Sequence, residues 1–264
     1  MCRFLAFWGK KARRLDYFLI DAPNSLNHQS AGDSSGRPNP DGWGIAYFSD
    51  HRPDIIKMSS PAYQDPQFRF IGRQISARIL FGHVRRKSYG DVCYENTHPF
   101  VKKGWLFMHN GNIPDLEQVV QILQEKEVVL PEEYRPQGQT DSEFLFSYVL
   151  YLFEIKQAHS VAKKFEILRD IIFRIESITS PDKFDQLALN FVLANTENLF
   201  AYRRNRPLFY RIWGGGILLA SEPVDRSPHW QSVEDGCFIV GKQPGKIQVL
   251  TRREIQRVKD REWA

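Results

Sequence analysis

The strongest constraint in this sequence is the order of its hydrophobic patterns: short β-type runs come first, helical periodicity fills the middle, and a second series of β-type runs follows. Cys2–Trp8, Trp43–Phe48, Ile79–Val84 and Gly104–His109 are short and rich in β-branched or aromatic residues. They predict strands, several of them buried on both faces. Helices are predicted over Asp65–Arg78, Pro114–Glu127, Asp141–Lys156 and Val161–Ser177. The second opens on proline and an acidic first turn, and the third on Thr140-Asp141-Ser142-Glu143, a capping box. Leu187–Ala194, Leu199–Arg203, Leu208–Trp213, Gly216–Ser221, Phe238–Gly241 and Lys246–Thr251 then alternate with turn residues, as an antiparallel meander does. Strands, helices, strands is the order of an α+β protein with layered antiparallel sheets, not of an alternating βαβ fold. Without a repeat or a linker, residues 1–264 read as a single domain.

Composition removes several classes of function. Lys and Arg number 36 against 31 Asp and Glu, and the bases are interspersed with the acids. A nucleic-acid partner would call for a clustered basic face. The three cysteines, Cys2, Cys93 and Cys237, include no CxxC pair, so neither a zinc ribbon nor a disulfide framework is expected. The cysteine usage reads as that of a reduced, cytoplasmic protein. The longest apolar runs, such as Ile217–Ala220 and Val149–Phe153, fall well short of the roughly 18–20 residues that span a bilayer. No membrane, metal or organic cofactor is expected: Gly214-Gly215-Gly216 is a turn between strands, not a phosphate or dinucleotide loop.

Four clusters could carry chemistry. Removal of Met1 would leave Cys2 with a thiol and an α-amine of reference pKa about 7.7–8.0, so that nucleophile and base come from one residue. The same cysteine could equally be a small buried residue opening a strand. Gly82-His83-Val84-Arg85-Arg86-Lys87-Ser88-Tyr89-Gly90 ends a strand in a polar loop, and its arginine fork suits either a carboxylate or plain solvent. Phe107-Met108-His109-Asn110-Gly111-Asn112 ends an apolar strand in Asn-Gly. That pair reads as a tight turn, or as an amide and a backbone N–H aimed at one oxygen. Gln139-Thr140-Asp141-Ser142-Glu143 is a helix start whose carboxylate could also hold an ammonium group.

Taken together and in order, MCRFLAF, PNPDGWGIAYF, GHVRRKSYG with ENTHPF, FMHNGNIPD and QTDSEFLF resemble the class II glutamine amidotransferases, N-terminal-nucleophile hydrolases with a catalytic N-terminal cysteine. The set covers about the first 155 residues and is most similar to the stand-alone YafJ-like branch, which includes the ergothioneine-pathway γ-glutamyl hydrolases and the glutathione-degrading amidotransferases. Ser221-Glu222-Pro223 also resembles a Ser-Glu element of that branch. The resemblance implies a four-layer αββα sandwich of the N-terminal-nucleophile hydrolase type, with two stacked antiparallel sheets. It implies Cys2 as nucleophile, its own α-amine as general base, and Asn110 and Gly111 as oxyanion donors. Arg85 would hold the α-carboxylate of a γ-glutamyl substrate and Asp141 its α-ammonium, with Ser88 and Tyr89 also at the substrate. His98, His109 and the Asn39-Asp41-Gly42 loop would stand behind these groups, and His28 and Gln29 on the same side of the site.

Two departures from the synthase-linked members stand out: Arg86 where they carry Trp, and Tyr89 where they carry a substrate-contacting His. The expected reaction is cleavage of the γ-amide of glutamine or of a γ-glutamyl compound through a γ-glutamyl thioester. The residues leave open a separate ammonia-accepting or peptidase partner, and the alternative of a catalytically quiet γ-glutamyl-binding subunit. The segments Asp33–Gly42 and Arg86–Tyr94 are candidate covers for the substrate.

Overall fold

The computed structural model describes residues 2–49, 52–115, 119–121 and 130–257. Thirteen strands among them form two antiparallel sheets. The first sheet contains β1 (Arg3–Arg14), β2 (Trp43–Phe48), β3 (Pro53–Met58), β4 (Ser76–Val84), β9 (Phe209–Trp213), β10 (Gly216–Ala220) and β11 (Gln231–Ser232), in the order β11-β9-β10-β1-β4-β2-β3. The second contains β5 (Phe100–Lys102), β6 (Trp105–Asn112), β7 (Ala188–Ala194), β8 (Leu199–Tyr202), β12 (Phe238–Gln243) and β13 (Lys246–Leu250), in the order β13-β12-β8-β7-β6-β5. The helices are α1 (Leu26–Ala31), α2 (Pro66–Gln74), α3 (Asp141–Ile155), α4 (Val161–Ile178) and α5 (Arg252–Arg257).

Side-chain alternation along the strands turns these elements into layers. On β1, Phe4, Ala6 and Trp8 pack in a core shared with Leu106 and Met108 of β6 and Val192 of β7, so this face looks into the gap between the sheets. Leu5 and Phe7 point the other way and pack with Leu26 of α1 and Phe68 of α2. Phe107 and Phe191 of the second sheet face Phe146 of α3 and Leu168 of α4. The result is helices, sheet, sheet, helices, as the motifs imply. The central strands β7 and β10 and the first half of β1 are apolar on both faces because they are covered on both. Burying one such Phe or Leu contributes about 1.5–3 kcal/mol, and Phe4, Leu5, Phe7 and Trp8 are all essentially inaccessible.

Several boundaries differ from expectation. The helix predicted over Asp65–Arg78 stops at Gln74: Asp65 caps it through Gln67 N at 2.9 Å, Pro66 opens it, and Ile75 is already extended. Ser76, Ala77 and Arg78 belong to β4, whose pairing with Arg13 and Arg14 outweighs the helical periodicity. β1 runs on to Arg14, because its exposed Lys10 and Lys11 end the alternation but not the strand. The helix predicted over Pro114–Glu127 lies mostly outside the described residues. Lys103 and Gly104, both at positive φ, make the two-residue turn between β5 and β6, the backbone that a tight hairpin of this hand requires. Among the described residues no helix is long and apolar enough to cross a membrane.

Candidate active site

Strand parity gathers the motif residues at one end of the gap between the sheets. Cys2 continues the alternation of Phe4, Ala6 and Trp8, and Arg85 that of Ile79, Phe81 and His83. Arg3 pairs with Val84, which sets Cys2 beside the residues that leave β4. The half-buried Cys2 Sγ lies 3.3 Å from both the backbone N–H and the carbonyl oxygen of Arg86. Burial pushes the thiol above its usual pKa, against the opposing pull of the Arg86 N–H and the Arg85 and Arg3 cations. A thiol held neutral in this way needs a base at hand when it attacks.

The end of β4 is fastened from both sides. Arg85 N donates to Gly42 O at 2.7 Å, Asp41 N to Arg85 O at 2.9 Å, and Lys87 N to the Asp41 carboxylate at 2.7 Å. The segment Asp33–Gly42 is a loop, as predicted, and its far end is bound to the strand that carries Arg85. The Arg85 guanidinium is buried and donates to Asp91 O at 2.7 Å and Tyr89 O at 2.9 Å. Three of its five N–H groups are not used by these two bonds, enough for a carboxylate. Ser88 and Tyr89 are exposed, and Tyr89 meets Arg85 through its carbonyl, not its ring. Asn96 and Gln139, which sequence reasoning passed over as ligand-site supports, join this segment to the start of α3. Gln139 N donates to Asn96 Oδ1 at 2.7 Å, and Asp91 N to Gln139 Oε1 at 3.1 Å.

Asn110 and Gly111 are not in a turn. They are strand residues of β6, opposite Asn190 and Leu189 of β7. Asn110 shares the parity of Leu106 and Met108, so its side chain enters the gap between the sheets. There its Nδ2 donates to Ser221 Oγ across the gap at 3.4 Å. The two-residue turn makes Lys102 and Trp105 a hydrogen-bonded pair, and by ladder alternation the N–H groups of Gly111 and Ile113 fall on the β5 side of β6. β5 begins only at Phe100, opposite Phe107, and so does not reach them. Ile113 N is taken instead by the Asp141 carboxylate at 2.8 Å. Asp141, buried at the first position of α3, also accepts from Ser142 N at 2.7 Å. Thr140 caps α3 through Glu143 N, but Glu143 does not return to Thr140. Its carboxylate takes the N–H groups of Gln137 and Gly138 at 2.9 and 2.7 Å.

Histidines line the back of the site. His109 Nε2 is 2.9 Å from Ala188 O and its Nδ1 2.9 Å from Ser142 Oγ. A carbonyl only accepts, so in the neutral ring the proton sits on Nε2. Burial lowers the His109 pKa against the opposing Asp141 charge. His83 and His98 stack at 4.4 Å; burial drives His83 down to about 3 and His98 well below its ordinary value. All three are therefore neutral near pH 7. His98 and His109 touch other protein groups, in keeping with a supporting place. Gln29 spends its amide N–H on Asn24 O, while His28 lies on α1, where its backbone N–H is capped by Ser25.

With this geometry in place, comparison with known proteins identifies the family. Residues 20–212 match the family Glutamine amidotransferases class-II, so the chain belongs to the class II glutamine amidotransferases and is an enzyme of that family. Cys2 lies outside the matched stretch, 18 positions before its start at residue 20. The chain is 33% identical over 163 residues to the probable glutamine amidotransferase DUG3 of Saccharomyces cerevisiae, covering 57% of this chain and only 45% of the yeast protein. It is 25% identical over 249 residues to the gamma-glutamyl-hercynylcysteine sulfoxide hydrolase of Mycobacterium tuberculosis, covering 93% of this chain and 94% of that one. Among solved structures, the class-II domain protein of Silicibacter pomeroyi superposes with a TM-score of 0.64 at 21% identity, over 94% of this chain and 98% of that one. The Bacillus subtilis glutamine phosphoribosylpyrophosphate amidotransferase gives 0.63 at 18% identity, over 94% of this chain and 48% of that one. These likenesses establish the N-terminal-nucleophile hydrolase fold.

Proposed function

We propose that the chain hydrolyses the amide of a γ-glutamyl compound through a thioester on Cys2. The observation that carries this reading is the convergence on one end of the intersheet gap. Cys2 Sγ is held against the Arg86 backbone, the buried Arg85 follows from the same strand, and Asn110 enters from the facing sheet. Once Met1 is removed, the Cys2 α-amine takes the thiol proton as sulfur bonds to the γ-carbonyl carbon. The carbonyl oxygen becomes an oxyanion held by the Asn110 carboxamide and the Gly111 N–H. Collapse breaks the C–N bond, and the leaving nitrogen departs with the proton carried by the α-amine. Water then attacks the thioester, giving glutamate and the free thiol. Arg85 and Asp141 supply the cation and anion that a zwitterionic amino-acid head requires, and Ser88 and Tyr89 stand on the segment above it.

The near-complete overlap with a γ-glutamyl hydrolase supports direct hydrolysis of a γ-glutamyl peptide or amine over ammonia supply from glutamine. Residues 1–264 are read as one glutamine amidotransferase unit, which is supported by β10 pairing directly with β1. The test is glutamate release from glutamine, glutathione and a panel of γ-glutamyl amines by Met1-processed protein. Turnover of γ-glutamyl peptides or amines well above glutamine is expected; glutamine turnover alone would point to an ammonia-supplying subunit.

A further inference from the structure

The proposed catalytic groups all come from the first 141 residues, yet two of them, Asn110 directly and Cys2 through Arg3, are tied to residues beyond β10. Ala220 of β10 pairs with Leu5, so Ser221 and Glu222 run on beside Phe4 and Arg3. Strand alternation sends the two side chains to opposite faces of the first sheet. Ser221 shares the face of Leu219, toward the gap and the second sheet. Its Oγ accepts from Phe4 N at 3.1 Å and from Asn110 Nδ2 at 3.4 Å, while its own N–H donates to Phe4 O at 3.1 Å. One hydroxyl thus ties the oxyanion strand to the nucleophile strand two residues from Cys2.

Glu222 looks to the other face. Its Oε1 accepts from Arg3 Nε at 2.6 Å and from Ser34 Oγ at 2.6 Å, and its Oε2 from Ser34 N at 3.2 Å. Arg3 pairs in turn with Asp33 at 2.9 Å and donates to the Cys2 carbonyl at 2.9 Å. The Arg3, Asp33 and Glu222 side chains are no more than 8% exposed. One guanidinium thereby binds the residue bearing the nucleophile, the start of the Asp33–Gly42 loop and the segment after β10. Arg3 is 219 positions from Glu222, which is why no local pattern reveals the arrangement.

We propose that Ser221 and Glu222 are paired positioning residues: Ser221 orients the Asn110 carboxamide toward the oxyanion, and Glu222, through Arg3, fixes the Cys2 main chain and the loop that follows α1. Neither touches substrate. The proposal rests on the hydrolase reading above. Misplacement of a reacting group by about 1 Å costs on the order of 100-fold in rate, and the two residues act on different groups, so their variants should differ in kind.

The experiment compares processed wild type, Ser221→Ala, Ser221→Thr, Glu222→Gln and Cys2→Ala by steady-state glutamate release and by the rate of Cys2 alkylation with iodoacetamide, which forms no oxyanion. Ser221→Ala is expected to lose roughly 10- to 100-fold in kcat with little change in KM and a normal alkylation rate, and Ser221→Thr, which keeps the hydroxyl, to recover much of the loss. Glu222→Gln keeps the shape but loses the charge opposite Arg3, and should lower both kcat and the alkylation rate. A wild-type kcat in Ser221→Ala, or a loss there confined to KM, overturns the role of Ser221. Unchanged alkylation and turnover in Glu222→Gln overturns that of Glu222. Should Ser221→Ala fail to fold, Ser221→Thr with wild-type kcat still supports the hydroxyl contact, and Thr folded but as slow as Cys2→Ala counts against it. Full turnover by Cys2→Ala would instead strike the hydrolase reading, leaving the two failures distinguishable.

Discussion

Replacing Gly111 by alanine tests whether β6 sits as close to its neighbours as the structure places it. A Cβ on Gly111 would lie 1.9 Å from Ala188 O and 2.1 Å from His109 Nε2, both well inside contact distance. These are the two atoms joined by the 2.9 Å hydrogen bond that orients His109, and neither is the loose end of a flexible chain. Accommodating the methyl therefore means prising β6 from β7 or expelling the imidazole. Overpacking of this kind costs about 1–3 kcal/mol, and a buried donor or acceptor left unpaired about 1–3 kcal/mol more. A total of about 2–6 kcal/mol corresponds to a Tm lower by roughly 4–24 °C for a chain of this size. The assay is a thermal melt beside glutamate release at a temperature where the variant stays folded. Activity should fall there as well, because the Gly111 N–H moves with the strand. A Tm within a degree or two of wild type would refute the close approach, and full activity with a lowered Tm would remove Gly111 from the oxyanion role.

Other outcomes follow from the same geometry. Cys2→Ala should abolish glutamate release while leaving the fold intact, and full activity in that variant would sink the mechanism. Arg85→Ala should chiefly raise KM for γ-glutamyl substrates; an unchanged KM would remove the carboxylate assignment. Asp141→Asn should weaken binding of substrates bearing a free α-ammonium more than of analogues lacking it, measurable by competition. The buried His83, whose folded pKa is about 3, makes the protein acid-sensitive. Its folded pKa lies below the unfolded value of about 6.5, so the unfolded chain binds more protons as pH falls. Its stabilisation is fully present above pH 6.5 and is lost progressively toward pH 3. At pH 5 the loss from His83 alone is about 2 kcal/mol, readable as a shift of the urea midpoint between pH 7 and pH 5, and an unshifted midpoint would contradict it.

Much of this architecture could be read from residue patterns, and the exceptions have physical causes. The strands buried on both faces announced themselves as short apolar runs, and Thr140 marked the start of α3 through its cap. Asp65–Arg78 misled because Ile75–Arg78 carries a helical spacing that sheet pairing overrides. α1 is six residues, LNHQSA, too short and polar to show a face. Asn-Gly pointed to a turn because local preference favours one, whereas seven register pairs with β7 hold it in a strand. Cys2, Arg85, Asn110 and Asp141 were visible as motif residues. Arg3, Ser221, Asn96 and Gln139 were not visible as supports, because their partners lie far away in sequence and only the fold brings them together.

The central claim is that Cys2 carries a covalent γ-glutamyl group during turnover. Processed enzyme mixed with a γ-glutamyl substrate, quenched in acid within the first turnovers and examined by intact and peptide mass spectrometry, should show one glutamyl addition on the N-terminal peptide. That addition should be lost on exposure to hydroxylamine and absent from Cys2→Ala. Glutamate release by a Cys2→Ala protein, or a glutamyl adduct on another residue during turnover, would contradict the account.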